Sequence, residues 1–408
     1  MSPEEWLPTT AAELSRLLNE NATNGRRPVA PFGGRTCLQF GGCLASNVTP
    51  ISTTELQRVI DYPARDMTIT VESGMRLDNL ADILKAEGQR LALDIPQRHR
   101  ATSGGAIATN AGGPGRFGLG TWRDYVIGIS AVDGQGRLFS AGGRVVKNVA
   151  GYDLCKLLVG SLGTLAVITQ VTLKLRPLPA SRGLLCTSFP GFANVDGALT
   201  RLLSSDTRPM VLDVLNASSA QQISGEAKLA LPVGSPLLCV GYEGTEREVA
   251  WQMETATAEL RPFGMETALP LIDDEADRLW DALTEYQAWS DDPLTFQAAL
   301  PPSRTMEFLA EATQAGIAAQ AHAGDGLVLG HFPDRCTSAE SAAEILTPLR
   351  HQAESAGGRL IVVQCDNGWL SQLGFRGDPR PADQWAKQLK EMFDPHAVLS
   401  PGRLFDAS

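Results

Sequence analysis

The stretch Thr102-Ser103-Gly104-Gly105-Ala106-Ile107-Ala108-Thr109-Asn110-Ala111-Gly112-Gly113 holds four glycines in twelve residues. A helix or strand would not choose that composition for stability, because glycine loses the most backbone entropy on folding. A shorter stretch, Pro31-Phe32-Gly33-Gly34-Arg35-Thr36, repeats the glycine pair. Both read as loops whose backbone turns sharply or comes close to a ligand. Bare N–H groups on such loops cradle anions. Two of them in one domain predict a large phosphate-bearing cofactor along an extended cleft. No Gly-Lys-Ser/Thr follows either stretch, so neither is a P-loop. Neither matches the GxGxxG turn that opens a Rossmann helix.

Outward from these stretches the pattern alternates between strands and helices. Thr10-Ala11-Ala12-Glu13 reads as a capping box opening a helix with Leu14, Leu17 and Leu18 on one face. Pro28-Val29-Ala30 is a short strand running into the first glycine pair, and Thr53 to Ile60 reads as helical. Asp66 to Val71 is a strand that ends at Ser73-Gly74. Leu77, Leu80, Ala81 and Leu84 fall at helical spacing, with Gly88 placed to end that helix. Val126 to Val132 and Arg137 to Ser140 form a hairpin around Asp133-Gly134-Gln135-Gly136. Asp153 caps a helix that Gly160 closes. Val171, Leu173 and Leu175 then alternate with polar residues as in a half-buried strand. Pro177 and Pro179 end it, and a first domain boundary is expected there, near residue 180.

Beyond that boundary glycine thins. Strands are expected at Leu184–Thr187, Val211–Leu215, Leu237–Tyr242, Leu327–Leu329 and Leu360–Val363. Helices are expected at Asn194–Leu203, Arg247–Leu260, Thr305–Ala315 and Ala339–Ala356. The alternation predicts an α+β domain, a sheet covered by helices on one face. A last helix carries Trp385, Leu389, Met392 and Phe393 and stops at Asp394-Pro395.

Composition narrows the function classes. At 408 residues, 43% apolar and 20% charged, the chain is an ordinary globular sequence long enough for two or three domains. A net charge of −11 without a basic run excludes a nucleic-acid binder. The seven cysteines are scattered and include no CxxC, so zinc ribbons and iron–sulfur clusters lack their ligand spacing. Met1-Ser2-Pro3-Glu4-Glu5 is acidic and has no apolar segment behind it, unlike a secretory signal. No run reaches the ~20 apolar residues of a membrane span. The expected location is cytoplasmic, with membrane contact only through partners and no direct insertion.

The segment Gly142 to Leu175 contains Lys147-Asn148-Val149-Ala150-Gly151-Tyr152-Asp153-Leu154, Gly160-Ser161-Leu162-Gly163-Thr164-Leu165 and Val167-Ile168-Thr169. In this text the chain resembles the FAD-binding, PCMH-type domain of the vanillyl-alcohol oxidase superfamily, and within it the flavin subunits of bacterial glycolate oxidase. Thr102 to Gly113 resembles that family's central flavin loop, and Trp122 to Gly128 its following segment. Phe393-Asp394-Pro395 with Pro401-Gly402-Arg403 is similar to its C-terminal signature. The resemblance is strong over residues 28–180 and faint between 181 and 380. It implies a two-lobed α+β architecture: an FAD lobe over 1–180, an α+β cap over 181–375, and a C-terminal helix and tail over 376–408 that return to the FAD lobe.

The resemblance also implies the cofactor contacts. The FAD pyrophosphate is expected against Gly33, Gly34, Arg35, Thr36 and the Thr102-Ser103-Gly104-Gly105 turn, with Ser73, Gly74, Asn110 and Gly112 nearby. Backbone at Gly163, Thr164 and Ile168 is expected close to the flavin or adenine. Relatives with covalent FAD carry a histidine beside the first glycine pair. Arg35 stands there instead, so FAD is expected to be non-covalent.

Catalytic 2-hydroxy-acid dehydrogenases of the family carry an HxGDGNxH segment whose histidines bind a metal, and a later EHG motif. This chain has His322-Ala323-Gly324-Asp325-Gly326-Leu327-Val328-Leu329, and no Glu-His-Gly. Leu329 replaces the second imidazole, so no metal site is expected. His322 reads as a vestige or a substrate contact, and Lys147 as a candidate stabiliser of reduced flavin. His99 reads as a surface residue, and Arg98, Arg100, Arg116 and Arg123 as a ligand-facing cluster or a solvated face. The resemblance therefore implies the E-type flavin subunit of glycolate oxidase, with a D-type flavin subunit, an iron–sulfur subunit and a small 2-hydroxy acid as partners. An autonomous 2-hydroxy-acid dehydrogenase and a scaffold without FAD are the alternatives.

Overall fold

A computed structural model describes residues 5–143, 153–289 and 291–404. The chain divides into two compact units. The first comprises residues 1–111, 121–178 and 378–408; the second comprises 112–120 and 179–377. Residues 112–120, expected within the first domain, thus belong to the second. The reason is packing: Gly118 donates its N–H to Met210 O, and Gly324 leaves room for the Phe117 ring, which a Cβ there would meet at 2.3 Å.

In the first unit, α1 (Ala11–Asn24) begins at Thr10, whose hydroxyl accepts from Glu13 N–H. The expected capping box is displaced by one residue. Glu13 reaches back to the N–H and hydroxyl of Thr9, and those bonds hold its carboxyl below the usual range. β1 (Val29–Phe32) and β2 (Thr49–Ser52) pair in parallel beside it. Thr53 to Ile60 is not a helix. It is a turn followed by β3 (Val59–Asp61). Its backbone is committed elsewhere: Thr53 N–H donates to Phe32 O, and Leu56 O accepts from Gly74 N–H. Only Leu56 offers a buried apolar side chain from its middle, so no helical stripe forms.

β4 (Thr68–Glu72) leads into α2 (Leu77–Lys85), which buries Leu77, Leu80 and Leu84. Gly88 follows with φ +66°, a conformation glycine adopts without strain. The central glycine stretch is not a loop at its start. Ser103–Thr109 forms a helix, α3, capped by Thr102. β5 (Val126–Asp133) and β6 (Leu138–Gly142) form the expected hairpin, in which Asp133 accepts from the N–H groups of Gln135 and Arg137. α4 (Leu154–Leu158) is capped by Asp153 and followed by β7 (Ala166–Lys174). The resulting five-stranded sheet has the order β3-β4-β7-β5-β6. The C-terminal helix, Pro381–Phe393, belongs to this unit.

The second unit is one eight-stranded antiparallel sheet with helices. In chain order it runs β8 (Ser181–Ser188), α5 (Phe192–Leu203), β9 (Val211–Leu215), α6 (Ala217–Ala227), β10 (Leu237–Gly244), α7 (Glu246–Leu260), β11 (Thr267–Ile272) and α8 (Asp274–Glu285). It continues with β12 (Leu294–Ala299), α9 (Thr305–Gln314), β13 (Ala318–His322), β14 (Leu327–His331), α10 (Ala339–Ser355) and β15 (Arg359–Cys365). The strand order is β11-β8-β10-β9-β13-β14-β12-β15. Residues two apart share a face. Leu212, Val214, Val240 and Ala321 face α5, α7, α9 and α10 in one continuous core. Val211, Leu215, Cys239 and Leu271 face α6 and α8 in a second core. The sheet is thus covered fully on one face and, at the β11-β8-β10-β9 end, on the other as well. Among the described residues no helix is long and apolar enough to cross a membrane.

Candidate functional site

Two sites emerge, one in each unit. The first is a cleft in the first unit, with a floor of Pro31, Phe32 and the β7 residues Ala166, Val167 and Ile168. Gly33, Gly34, Arg35 and Thr36 form one wall, and Thr102, Gly104, Gly105, Ala108 and Thr109 another. Leu162, Gly163, Ser400 and Arg403 close it.

The glycines serve close approach rather than flexibility. A Cβ on Gly33 would lie 2.0 Å from Thr102 Oγ1, and one on Gly34 would lie 1.7 Å from Arg100 O. At Gly104 it would strike Ser73, and at Gly163 (φ +66°) it would strike Pro31. Gly105 differs, because a Cβ there would approach only Thr102 Oγ1, at 3.1 Å. Among the described residues no hydrogen bond uses the backbone N–H of Gly33, Gly34, Arg35 or Thr36. Backbone donors left unpaired beside a cleft are what an anion requires. By contrast, the N–H groups of Ser103, Gly104, Gly105 and Ala106 are taken by Met75 O, Ser73 O, Thr102 Oγ1 and Thr102 O. The shorter glycine stretch therefore supplies the free donors. The longer one supplies a small-residue wall.

Of the residues expected to hold the cofactor, Gly33, Gly34, Arg35, Thr36, Thr102, Gly104, Gly105, Gly163 and Ile168 line the cleft. Ser73, Gly74, Ser103 and Thr164 lie behind it. Ser73, Ser103 and Thr164 are buried, and the Gly74 N–H donates to Leu56 O. Asn110 ends α3 at φ +53°. Gly112 belongs to the second unit, where its carbonyl accepts from Gln287 Nε2 at 2.7 Å. Lys147 lies outside the described residues, as does most of the motif around it. Arg98, His99 and Arg100 are exposed, Arg123 donates to Lys156 O, and Arg116 pairs with Asp325.

Sequence reasoning missed Cys37, Leu38, Phe40, Thr53 and Arg403 as lining residues. Arg403 was legible only as text. Its guanidinium, whose pKa burial lowers, donates to the carbonyls of Leu38, Phe40 and Gly42 and ties the C-terminal tail to the cleft loop. Asp394 explains the other half of the C-terminal signature. It accepts from Val398 N–H, Leu399 N–H and Lys390 Nζ, which itself donates to Thr164 O at 2.7 Å.

The second site lies on the half-covered face of the eight-stranded sheet. Asp213 on β9 stands opposite His322 on β13, and Gln320 stands opposite Leu329 on β14. His322 Nδ1 is 2.8 Å from Asp213 Oδ1, and both side chains are fully buried. Gln320 Nε2 donates to Asp213 Oδ2 and to Leu283 O. Asp325, in the β13–β14 turn, has its carboxyl pKa raised by burial, opposed by Arg116 and His322. Arg116 Nε is 3.6 Å from Asp325 Oδ2. Among the described residues no group of three His, Cys, Asp or Glu is placed to hold a metal. His331, the imidazole on β14, is held by Asp292 at 2.8 Å and packed on Tyr286.

A wall of small residues, four free N–H donors and an apolar floor fit a dinucleotide cofactor, and comparison with known proteins agrees. The FAD binding domain model matches residues 6–142, and the model of the C-terminal domain of FAD linked oxidases matches residues 178–360. The chain belongs to the FAD-linked oxidoreductases of the vanillyl-alcohol oxidase superfamily. It is 28% identical to a D-2-hydroxyglutarate dehydrogenase of Xanthomonas citri pv. viticola, over 93% of this chain and 84% of that one. It is 27% identical to glycolate oxidase subunit GlcE of Escherichia coli K12, over 85% and 84%. An alkyldihydroxyacetonephosphate synthase structure shares the fold, with a TM-score of 0.67 at 19% identity over 97% of this chain and 75% of that chain. FAD, when bound, supplies a two-electron acceptor. Gly33 to Thr36 are the residues that would hold its pyrophosphate.

Proposed function

We propose that the chain is an FAD-binding subunit of a glycolate oxidase-type complex that converts glycolate to glyoxylate. In this reading the FAD is non-covalent and the main substrate oxidation falls to a partner D-type flavin subunit. Electrons leave through an iron–sulfur subunit, and any membrane contact is made through these partners. The observation that carries the reading is Leu329. It shares the sheet face of His322 and stands opposite Gln320, so an isobutyl group occupies the place of the second imidazole of a metal-dependent dehydrogenase. The similarity to a GlcE subunit supports the same assignment, and the absence of histidine among the described residues that line the cleft supports non-covalent FAD.

A second reading, an autonomous FAD-dependent 2-hydroxy-acid dehydrogenase, is favoured by one observation. His322 is not isolated, because a buried carboxylate holds its ring. One experiment separates the readings. The chain is purified alone, its visible spectrum is recorded, and glycolate is added without oxygen. A yellow protein that bleaches only after the D-type chain is added supports the subunit reading. Bleaching without a partner supports the autonomous enzyme. A colourless protein overturns both and leaves a scaffold.

A further inference from the structure

In a chain of net charge −11, the exposed turn Arg98-His99-Arg100 is basic at every position. Among the described residues no carboxylate pairs with any of the three. The Arg100 guanidinium donates to neutral oxygens instead, Gln97 Oε1 at 3.5 Å and Arg35 O at 3.4 Å. By contrast, Arg16, Arg35, Arg58, Arg76 and Arg137 in the same unit each pair with a carboxylate. The turn is also firmly built. Arg100 N–H and Ala101 N–H both donate to Gln97 O at 2.8 Å, and Arg98 O accepts from Asp78 N–H. Ile95 and Ala101 are buried and anchor its two ends. The backbone that carries the charges is therefore in place before any partner arrives, and little ordering is lost on contact.

Position decides what the turn faces. A Cβ on Gly34 would lie 1.7 Å from Arg100 O, so the turn backs the cleft wall that carries the free N–H donors. The Arg100 guanidinium reaches Arg35, which lines that cleft, but none of the three basic residues does. Exposed charges outside a pocket hold a small anion weakly. They do match a broad acidic surface and steer its approach. Nucleic acid is the poorer match, because its phosphates need many cations and the chain is acidic as a whole.

We propose that Arg98, His99 and Arg100 form a docking surface for the acidic face of a partner protein, seated at the rim of the cofactor cleft. The acidic remainder of the chain repels such a partner, so the turn also fixes where it lands. That the partner takes electrons from this chain rests on the function proposed above; the docking itself does not.

The test uses the full chain and an oxidised plant-type ferredoxin, a strongly acidic protein, as the probe. Association and dissociation are read by biolayer interferometry at several salt concentrations. The expected result is binding whose association rate falls about tenfold or more between about 50 and 500 mM salt. Arg98→Glu combined with Arg100→Glu should lower the association rate about tenfold or more and leave dissociation nearly unchanged. Arg16→Glu combined with Arg304→Glu shifts the net charge equally at two other exposed positions, and should act by less than about twofold. Thermal midpoints show that both chains fold. Equal effects of the two double variants, binding indifferent to salt, or no binding at low salt overturns the proposal. So does tighter binding of phosphatidylglycerol vesicles than of ferredoxin. Flavin content is read separately from the visible spectrum. A colourless chain that binds ferredoxin through this turn therefore overturns the flavin reading alone.

Discussion

Gly33 and Thr102 approach so closely that a single methyl group on the glycine would lie 2.0 Å from the threonine Oγ1. Thr102 is also the cap of α3, accepting from Gly105 N–H. The two glycine stretches are therefore coupled. The cap that starts the wall of the cleft fits only because the opposite strand is followed by a residue without a side chain.

This coupling separates three glycine variants. Gly33→Ala must displace the Thr102 cap, and loss of such a cap costs about 1 kcal/mol in addition to the steric strain. Gly34→Ala would meet the Arg100 carbonyl at 1.7 Å, which only backbone movement relieves. Both should yield folded protein with a lowered melting midpoint and little bound flavin. Gly105→Ala meets only one hydroxyl, at 3.1 Å. It should melt within a degree or two of wild type while losing FAD affinity. The ratio of flavin to protein absorbance, read beside the thermal midpoint, checks all three.

Much of this is legible in the sequence. The Leu77–Leu84 stripe, the Asp133–Gly136 hairpin and the alternation through Leu175 are local patterns, and the matching elements formed. What was not readable is long-range. Thr53 to Ile60 has a helical composition, but its backbone is taken by Phe32 and Gly74. Ser103–Thr109 reads as a loop because two glycines stand in its first turn, yet they are there to let Ser73 and Thr102 approach. The Asp213–His322 contact spans 109 residues. Asp213 lies within an apolar strand, Val211–Leu215, and its sequence surroundings carry no sign of a partner.

Lys390 and Asp394 should stabilise the first unit well beyond a surface pair. The carboxylate is fully buried, the ammonium nearly so, and the ammonium also holds the carbonyls of Thr164 and Leu399. Lys390→Met strands a buried charge and should cost roughly 3–5 kcal/mol in urea unfolding. Lys390→Met combined with Asp394→Leu removes both charges and should recover part of that loss. A single variant as stable as wild type would show that the pair is dispensable.

The pH dependence of the second unit should carry a signature of Asp325. Burial raises its pKa above 3.8, more than Arg116 and His322 lower it. The folded state therefore holds this proton at pH values where the unfolded chain has released it. By linkage, stability from this group is present below the unfolded pKa and is lost as pH rises through the folded one. Asp325→Asn removes that loss. The variant should be more stable than wild type at neutral pH, and its advantage should shrink as the pH falls toward 4. Urea midpoints of both proteins between pH 4 and 7 test this, and a difference that does not vary with pH would contradict it.

Thiol labelling should report on the cleft without any assay of activity. Cys43 is exposed and should react first. Cys155, pushed to about 11 chiefly by burial, should be silent in the native protein, as should the buried Cys186, Cys239, Cys336 and Cys365. Cys37 lies between these extremes. It lines the cleft, is partly exposed, and burial raises its pKa. The native chain should therefore show one fast thiol, lost in Cys43→Ser, and one slow thiol, lost in Cys37→Ser. Saturation with FAD should slow only the second, because the cofactor would cover Cys37 but not Cys43. If FAD leaves the slow phase unchanged, the cofactor does not lie against the Gly33–Thr36 wall, and the free N–H groups there need another anion to explain them.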